Sequence, residues 1–104
     1  MSTYVIHSIT EENGEVALAD IRMVVRTARP DQFGLDDGEV MAFHDVASLI
    51  RFGHAVHVVR WIGPGEFEPG SRVGIKPGQI EHLLSVDAHG VPNGDLMALP
   101  RLRM

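Results

Sequence analysis

The chain has no cysteine among its 104 residues, which excludes disulfides, thiolate metal sites and cysteine nucleophiles. It also has no run that approaches the roughly 20 apolar residues of a membrane-spanning helix. The N-terminal region lacks the basic and apolar segments of a secretory signal peptide. From these absences we expect a soluble, cytoplasmic protein that has no membrane partner.

Basic residues are also scarce, since nine Lys and Arg stand against 14 Asp and Glu and leave a net charge of −5. Residues 1–52 hold nine of the acids and four of the bases, whereas residues 53–104 hold five of each. An acidic chain lacks the positive field that drives non-specific binding to nucleic acids. We therefore do not expect a nucleic-acid partner.

Hydrophobic residues make up 44% of the chain, which is enough for a folded core. The centre of the chain contains a change of periodicity at Gly53. Before it, Val46, Leu49 and Ile50 follow the i, i+3, i+4 spacing of a helix. After it, the valines of 55–62 predict a strand that is apolar on both faces and therefore central. Glycine is typical just after a helix because it adopts a positive φ without a Cβ penalty.

Similar patterns predict four further strands, of which the first two form a hairpin because Asn13-Gly14 between them favours a tight turn. The five strands are predicted at 4–10, 16–25, 55–62, 71–75 and 80–86. We interpret 63–70 as a loop and 27–43 as an irregular excursion that ends in a short extended piece. The predicted fold class is α+β, a single domain 1–104 with two layers. One helix packs on a mostly antiparallel sheet of about five strands, in the order β-β-α-β-β-β.

One short helix is too small to cover both faces of a five-stranded sheet. Apolar residues are therefore expected on the second face, and the candidates are Val5, Ile9, Val16, Leu18 and Val24. Either the 27–43 excursion or a second subunit has to cover them. We expect a homodimer, or a complex with a protein partner.

Two parts of the chain together resemble a known family. One part is the helix end Leu49-Ile-Arg-Phe-Gly53 with the valine strand that follows it. The other part comprises Leu83-Leu84, Asp87-Ala-His-Gly90, Pro92 and Asp95-Leu-Met-Ala-Leu-Pro100. Apart from 27–43, most of the chain is similar to a small bacterial family classed as a domain of unknown function, family 3892.

The resemblance implies a strand hairpin followed by a helix with an Ile-x-x-Gly end, and it implies no activity. Two pairs depart from the polar signature of that family near its C-terminal end. Ser85-Val86 stands where Arg-Thr is expected, and Gly94-Asp95 stands where Asp-Asn is expected. A ligand site built from that signature would therefore be absent from this chain.

Six histidines are a high number for this length. His54 and His57 are three residues apart on a strand, so they point to opposite faces and cannot bind one ion. His57 and His82 lie on strands that can be neighbours, and Asp87 is the best third ligand for zinc or another divalent ion. Alternatively, the histidines are half-buried strand residues with ordinary partners.

Trp61 precedes the predicted loop and Phe67 lies within it, and both are candidates for an aromatic ligand-binding spot. The alternative is that Trp61 closes the edge of the core and Phe67 caps the hairpin. No serine lies in a Gly-x-Ser-x-Gly motif and no catalytic constellation stands out, so we name no catalytic residue and no cofactor and favour a non-enzymatic role over an enzymatic one. We expect a non-enzymatic interaction or accessory module that acts as a homodimer or with a protein partner. The alternative is a domain that binds a small ligand or a divalent metal through His57, His82 and Asp87.

Overall fold

The structure is a computed structural model that describes residues 2–26 and 33–102. Within these residues the chain forms one sheet of eight strands and one helix. The strands are β1 (Thr3–Glu12), β2 (Glu15–Arg26), β3 (Phe33–Leu35), β4 (Glu39–Ala42), β5 (Ala55–Gly63), β6 (Glu66–Lys76), β7 (His82–Val86) and β8 (Pro92–Asn93), and helix α1 is Phe43–Arg51. The helix is far too short to cross a membrane, and no other helix occurs in the described ranges.

The predicted fold class is wrong, because the fold is mostly β, with 59% of the described residues in strands. The prediction of one helix on about five strands did not count β3, β4 and β8, which are three, four and two residues long, although β4 overlaps the short extended piece expected at the end of the excursion. Segments this short carry no alternating pattern that periodicity could detect. The predicted loop 63–70 is also mostly strand, since β5 and β6 run to a two-residue turn at Pro64-Gly65.

The strands follow the order β3-β2-β1-β5-β6-β7-β8, and β4 also pairs with β2. All pairs are antiparallel except β1 with β5, which is parallel. The predicted hairpin of the first two strands is confirmed. Strands β3 and β4 lie on the outer edge of β2 as one interrupted strand. Of the predicted excursion, 27–32 lies outside the described residues, so its cover of the core is not tested there.

Helix α1 ends as its sequence predicts. Gly53 has a φ of 92°, in the left-handed region that favours glycine. The backbone N–H of Gly53 donates to the carbonyl of Ile50 at 3.0 Å, and that of His54 donates to the carbonyl of Leu49 at 3.1 Å. These two bonds form a Schellman motif, which satisfies carbonyls that the helix leaves without partners.

One contiguous core contains residues of the sheet, the helix and the C-terminal segment, which we define as residues 94–102. Val5, Ile9 and Val16 were expected to need cover from the 27–43 excursion or from a second subunit, and each is at most 1% exposed within a single chain. Part of their cover comes from the curvature of the sheet. Strands β2 and β7 contact each other although three strands lie between them in the sheet. Lys76, the last residue of β6, also pairs with Glu15 of β2 at 3.0 Å.

The C-terminal segment supplies the rest of the cover. Leu96 and Leu99 are buried in the same core. Beyond them, the backbone N–H of Ile9 donates to the carbonyl of Pro100 at 3.1 Å, and that of Leu102 donates to the carbonyl of Ile9 at 2.7 Å. The segment thus runs from β8 back to β1, and the chain itself covers Val5, Ile9 and Val16, whereas Leu18 and Val24 are half-buried.

Candidate functional site

Two β-bulges lie at the same level of the sheet, on either side of β5. In the β1–β2 pair, His7 is an extra residue between two successive partners. In the β5–β6 pair, Gly70 and Ser71 together face the single residue Val58. A bulge increases the local twist and often ends pairing. The parallel pairing of β1 with β5 ends at this level, with Ile6 opposite Val58.

Gly70 is required by the close approach of the two strands at the second bulge. A Cβ at this position would lie 2.8 Å from the carbonyl oxygen of Val58, which is closer than real Cβ atoms come. The bulge also turns the carbonyl of Gly70 towards His57, whose Nδ1 lies 3.0 Å away. Because a carbonyl only accepts, this contact assigns the hydrogen of the neutral imidazole to Nδ1. Nε2 is then the ring nitrogen left for a ligand.

A cleft of about 970 Å³ lies where the sheet divides. This volume is within the range of sites that hold small molecules. Strands β5 and β6 line one side of the cleft, and the turn after β7 and the C-terminal segment line the other. Its ionisable and hydroxyl side chains are His57, Arg60, Ser71, Arg72, Asp87 and Asp95.

A network of hydrogen bonds ties the C-terminal segment to the sheet beside the cleft. The Ser71 hydroxyl donates to Oδ2 of Asp95, and Nδ2 of Asn93 donates to the Ser71 oxygen at 3.1 Å. The buried Ser85 hydroxyl donates to Oδ1 of Asn93 at 2.7 Å and accepts from the backbone N–H of Leu96 at 3.0 Å. The network therefore fixes the side of the cleft that carries Asp95.

The predicted metal ligands are only partly brought together. His57 and Asp87 both line the cleft, but His82 does not. His57 is opposite Arg72 of β6, whereas His82 is opposite Lys76, four residues further along that strand. Four residues of strand span roughly 13 Å, so His57 and His82 cannot bind one ion.

The other contacts of these residues agree with that conclusion. The centroid of the His82 ring lies 5.4 Å from the centroid of the Phe43 ring, which is at the start of the helix. The Asp87 carboxylate accepts the backbone N–H groups of His89 and Val91 at 2.8 and 3.0 Å. Within residues 2–26 and 33–102, no three His, Asp or Glu side chains are grouped so that they could hold a metal ion.

The cleft contains a serine, a histidine and an aspartate, but they are not connected as a hydrolase requires. In a hydrolytic triad the carboxylate orients the histidine, and the histidine accepts the proton of the serine. Here Asp95 binds Ser71 directly, and Nδ1 of His57 faces the Gly70 carbonyl instead of a carboxylate. Ser71 is therefore not placed as a nucleophile that His57 activates.

Trp61 and Phe67, the predicted aromatic spot, form a cross-strand pair between β5 and β6. Their ring centroids are 6.5 Å apart in an edge-to-face arrangement, and the His7 ring lies 5.7 Å from Trp61. Trp61 is 51% exposed and the adjacent Ile62 is 56% exposed, whereas Phe67 packs partly against the core. The structure thus brings the pair together and leaves the indole ring half in solvent.

The strand that carries Trp61 has an open edge, which we define as Val59–Gly63. On the side of β5 that faces β1, the pairing stops at Val58. Beyond that point β1 pairs with the C-terminal segment, through a bridge between Ile9 and Arg101. No strand among the described residues lies beside the open edge on this side.

The sequence interpretation missed Ser71, Arg72, Asn93 and Asp95 as residues of a shared site. Pro69-Gly70 was the available signal, because a proline and a glycine within a strand are typical of a bulge. That signal was instead interpreted as part of a loop.

Comparisons with known proteins give no relative for this chain. No protein-family model matches it, no curated protein matches it, and no solved structure matches it. The resemblance to family 3892 therefore stays a prediction.

Proposed function

We propose that this chain is a non-enzymatic protein-interaction module that binds an extended segment of a partner protein along the open edge. The single observation that carries this proposal is the unpaired side of β5 at Val59–Gly63. A strand edge offers a row of backbone donors and acceptors, and an added strand satisfies them.

The side chains around the open edge support the proposal. Trp61 and Ile62 are adjacent in sequence, and both are more than half exposed. Tryptophan is among the residues that contribute most to protein interfaces, because its ring buries a large area at a small cost in conformational entropy. Alternate side chains along a strand also give a bound segment its specificity, in addition to the backbone hydrogen bonds.

A single extended segment suits this edge better than a second copy of the chain. Residues 98–100 line the cleft opposite Val58–Arg60, so the C-terminal segment bounds the space beside the start of the open edge. Three of the five residues that a dimer was expected to cover, Val5, Ile9 and Val16, are in addition already buried within one chain.

Phage display of random 12-residue peptides against the purified chain provides the probe for this proposal. We expect the selected peptide, once synthesised, to bind one folded chain and to protect the amides of Val59–Gly63 from hydrogen exchange. Trp61→Lys is expected to weaken binding about tenfold or more, because removing an interface hot spot costs about 2 kcal/mol.

Phe52→Lys is the matched control, since Phe52 is an exposed apolar residue, 79% exposed, that lies at the end of the helix and away from the open edge. It should leave binding unchanged. Failure to select any peptide that is sensitive to Trp61→Lys would contradict the proposal. So would light scattering that shows a dimer whose formation protects the same amides.

A further inference from the structure

The charged side chains of the cleft differ in whether they already have partners. Nε of Arg60 pairs with Glu68 at 3.3 Å. Asp87 accepts two backbone N–H groups, and Asp95 accepts the Ser71 hydroxyl. Arg72 has no ion pair or side-chain hydrogen bond with any residue in the described part of the chain. Arg72 is therefore a cation of the cleft that has no intramolecular partner among the described residues.

Arg72 lies beside the histidine of the cleft. It is the direct cross-strand partner of His57 in the β5–β6 ladder. Directly opposed residues point to the same face of a sheet, with Cβ atoms about 5 Å apart. The guanidinium of Arg72 and the ring of His57 can therefore reach one group in the cleft.

The chemistry of this pair favours an oxyanion. The guanidinium presents donors in a fork that matches a carboxylate or a phosphate. The imidazole adds a further donor at Nε2 when it is protonated, since Nδ1 is already directed at Gly70.

The remainder of the cleft defines the rest of the ligand. Val86 is the partner of Arg72 on β7, and the buried Leu99 belongs to the C-terminal segment that lines the other side. These side chains suit a small apolar body. Asp87 and Asp95 also line the cleft and disfavour a second anionic group by repulsion.

We propose that the cleft binds a small organic molecule that has one oxyanion, a carboxylate or a phosphate, held by Arg72 and His57. The cleft adjoins the open edge at Val59 and Arg60, but His57 and Arg72 lie outside that edge, so either proposal can fail without the other.

Nuclear magnetic resonance titration of the full chain with inorganic phosphate, and separately with acetate, tests the site. We expect at least one of the two probes to give saturable shifts of the His57 ring and Arg72 Nε signals, with a dissociation constant in the millimolar range. Saturation by phosphate alone identifies a phosphate ligand, and saturation by acetate alone identifies a carboxylate. The absence of saturable shifts with both probes would overturn the proposal.

Three variants give the controls. Arg72→Gln is expected to weaken binding of the responsive probe about tenfold or more, because a hydrogen bond to a charged group is lost. Arg72→Lys keeps the charge but loses the forked donors of the guanidinium. Its affinity for the probe is expected to lie between those of Arg72→Gln and the natural chain. Arg60→Gln removes a cation of the same cleft that Glu68 already engages, and it should change affinity less than twofold. Equal losses in Arg60→Gln and Arg72→Gln would indicate a diffuse charge effect and would overturn the assignment.

Discussion

The two halves of strand β5 differ sharply although their sequences are similarly apolar. In the first half, Val56 is fully buried between β1 and β6. In the second half, Trp61 and Ile62 are 51% and 56% exposed, and β6 is the only strand among the described residues that pairs with this half. The bulges at His7 and at Gly70 separate the two halves. Burial along a strand thus depends on where its neighbours stop as much as on its own residues.

The largest difference should appear when an aspartate is placed in each half. Val56→Asp puts a carboxylate without a partner into the core and is expected to lower the free energy of unfolding by more than about 3 kcal/mol. Ile62→Asp should cost less than about 1 kcal/mol because this residue is exposed. Urea denaturation of both variants measures the contrast, and equal losses would refute the division of β5.

The C-terminal segment pairs with β1 and thereby maintains the division of β5 into two halves. Weakening the packing of this segment in the core should therefore have the next largest effect on stability. Leu96 is 1% exposed, so Leu96→Ala leaves a cavity in the core and is expected to lower the free energy of unfolding by about 2–5 kcal/mol. Ala98→Ser, at an exposed position of the same segment, serves as the control and should be close to neutral. Thermal melting gives the comparison, and a neutral Leu96→Ala would mean that the segment does not cover the core.

Gly70→Ala tests the second bulge directly. The added Cβ would collide with the Val58 carbonyl at 2.8 Å, so we expect a cost of about 1–3 kcal/mol. Gly74→Ala is the matched control, because Gly74 lies on the same strand and an added Cβ there would meet nothing within 4 Å. It should be neutral or slightly stabilising. Equal stability of the two variants in urea would contradict the close approach of Gly70 to the Val58 carbonyl.

The smallest effect is expected at the turn that leads into the first half of β5. Gly53→Ala should cost about 1 kcal/mol, because an alanine is strained at a φ of 92°. Gly94→Ala, where a Cβ would meet nothing within 4 Å, is its control. An unchanged melting temperature of Gly53→Ala would contradict the left-handed conformation.

Local patterns account for the parts of the fold that were predicted. The Asn13-Gly14 turn and the Gly53 helix end depend on neighbouring residues alone, and both were found where they were expected. The candidate site was predicted much less well. His57 and Asp87 do share the cleft, but His82 lies at the other end of its strand, and Arg72 was not singled out. Whether the residues of the cleft lie close together depends on the register between strands, and this register cannot be read from the residue types.

By itself, the sequence determined the absence of thiol chemistry, the first hairpin, the helix and its end at Gly53, and the central position of the valine strand. Each depends on composition, on periodicity or on a preferred φ, which act within a few residues. Only the tertiary structure decided that short strands extend the sheet and that residues 94–102 close the core. It also decided that β1 leaves β5 after Ile6 and so opens an edge and a cleft. These features arise from pairing between segments far apart in the chain, where backbone hydrogen bonds leave no periodic trace in the sequence.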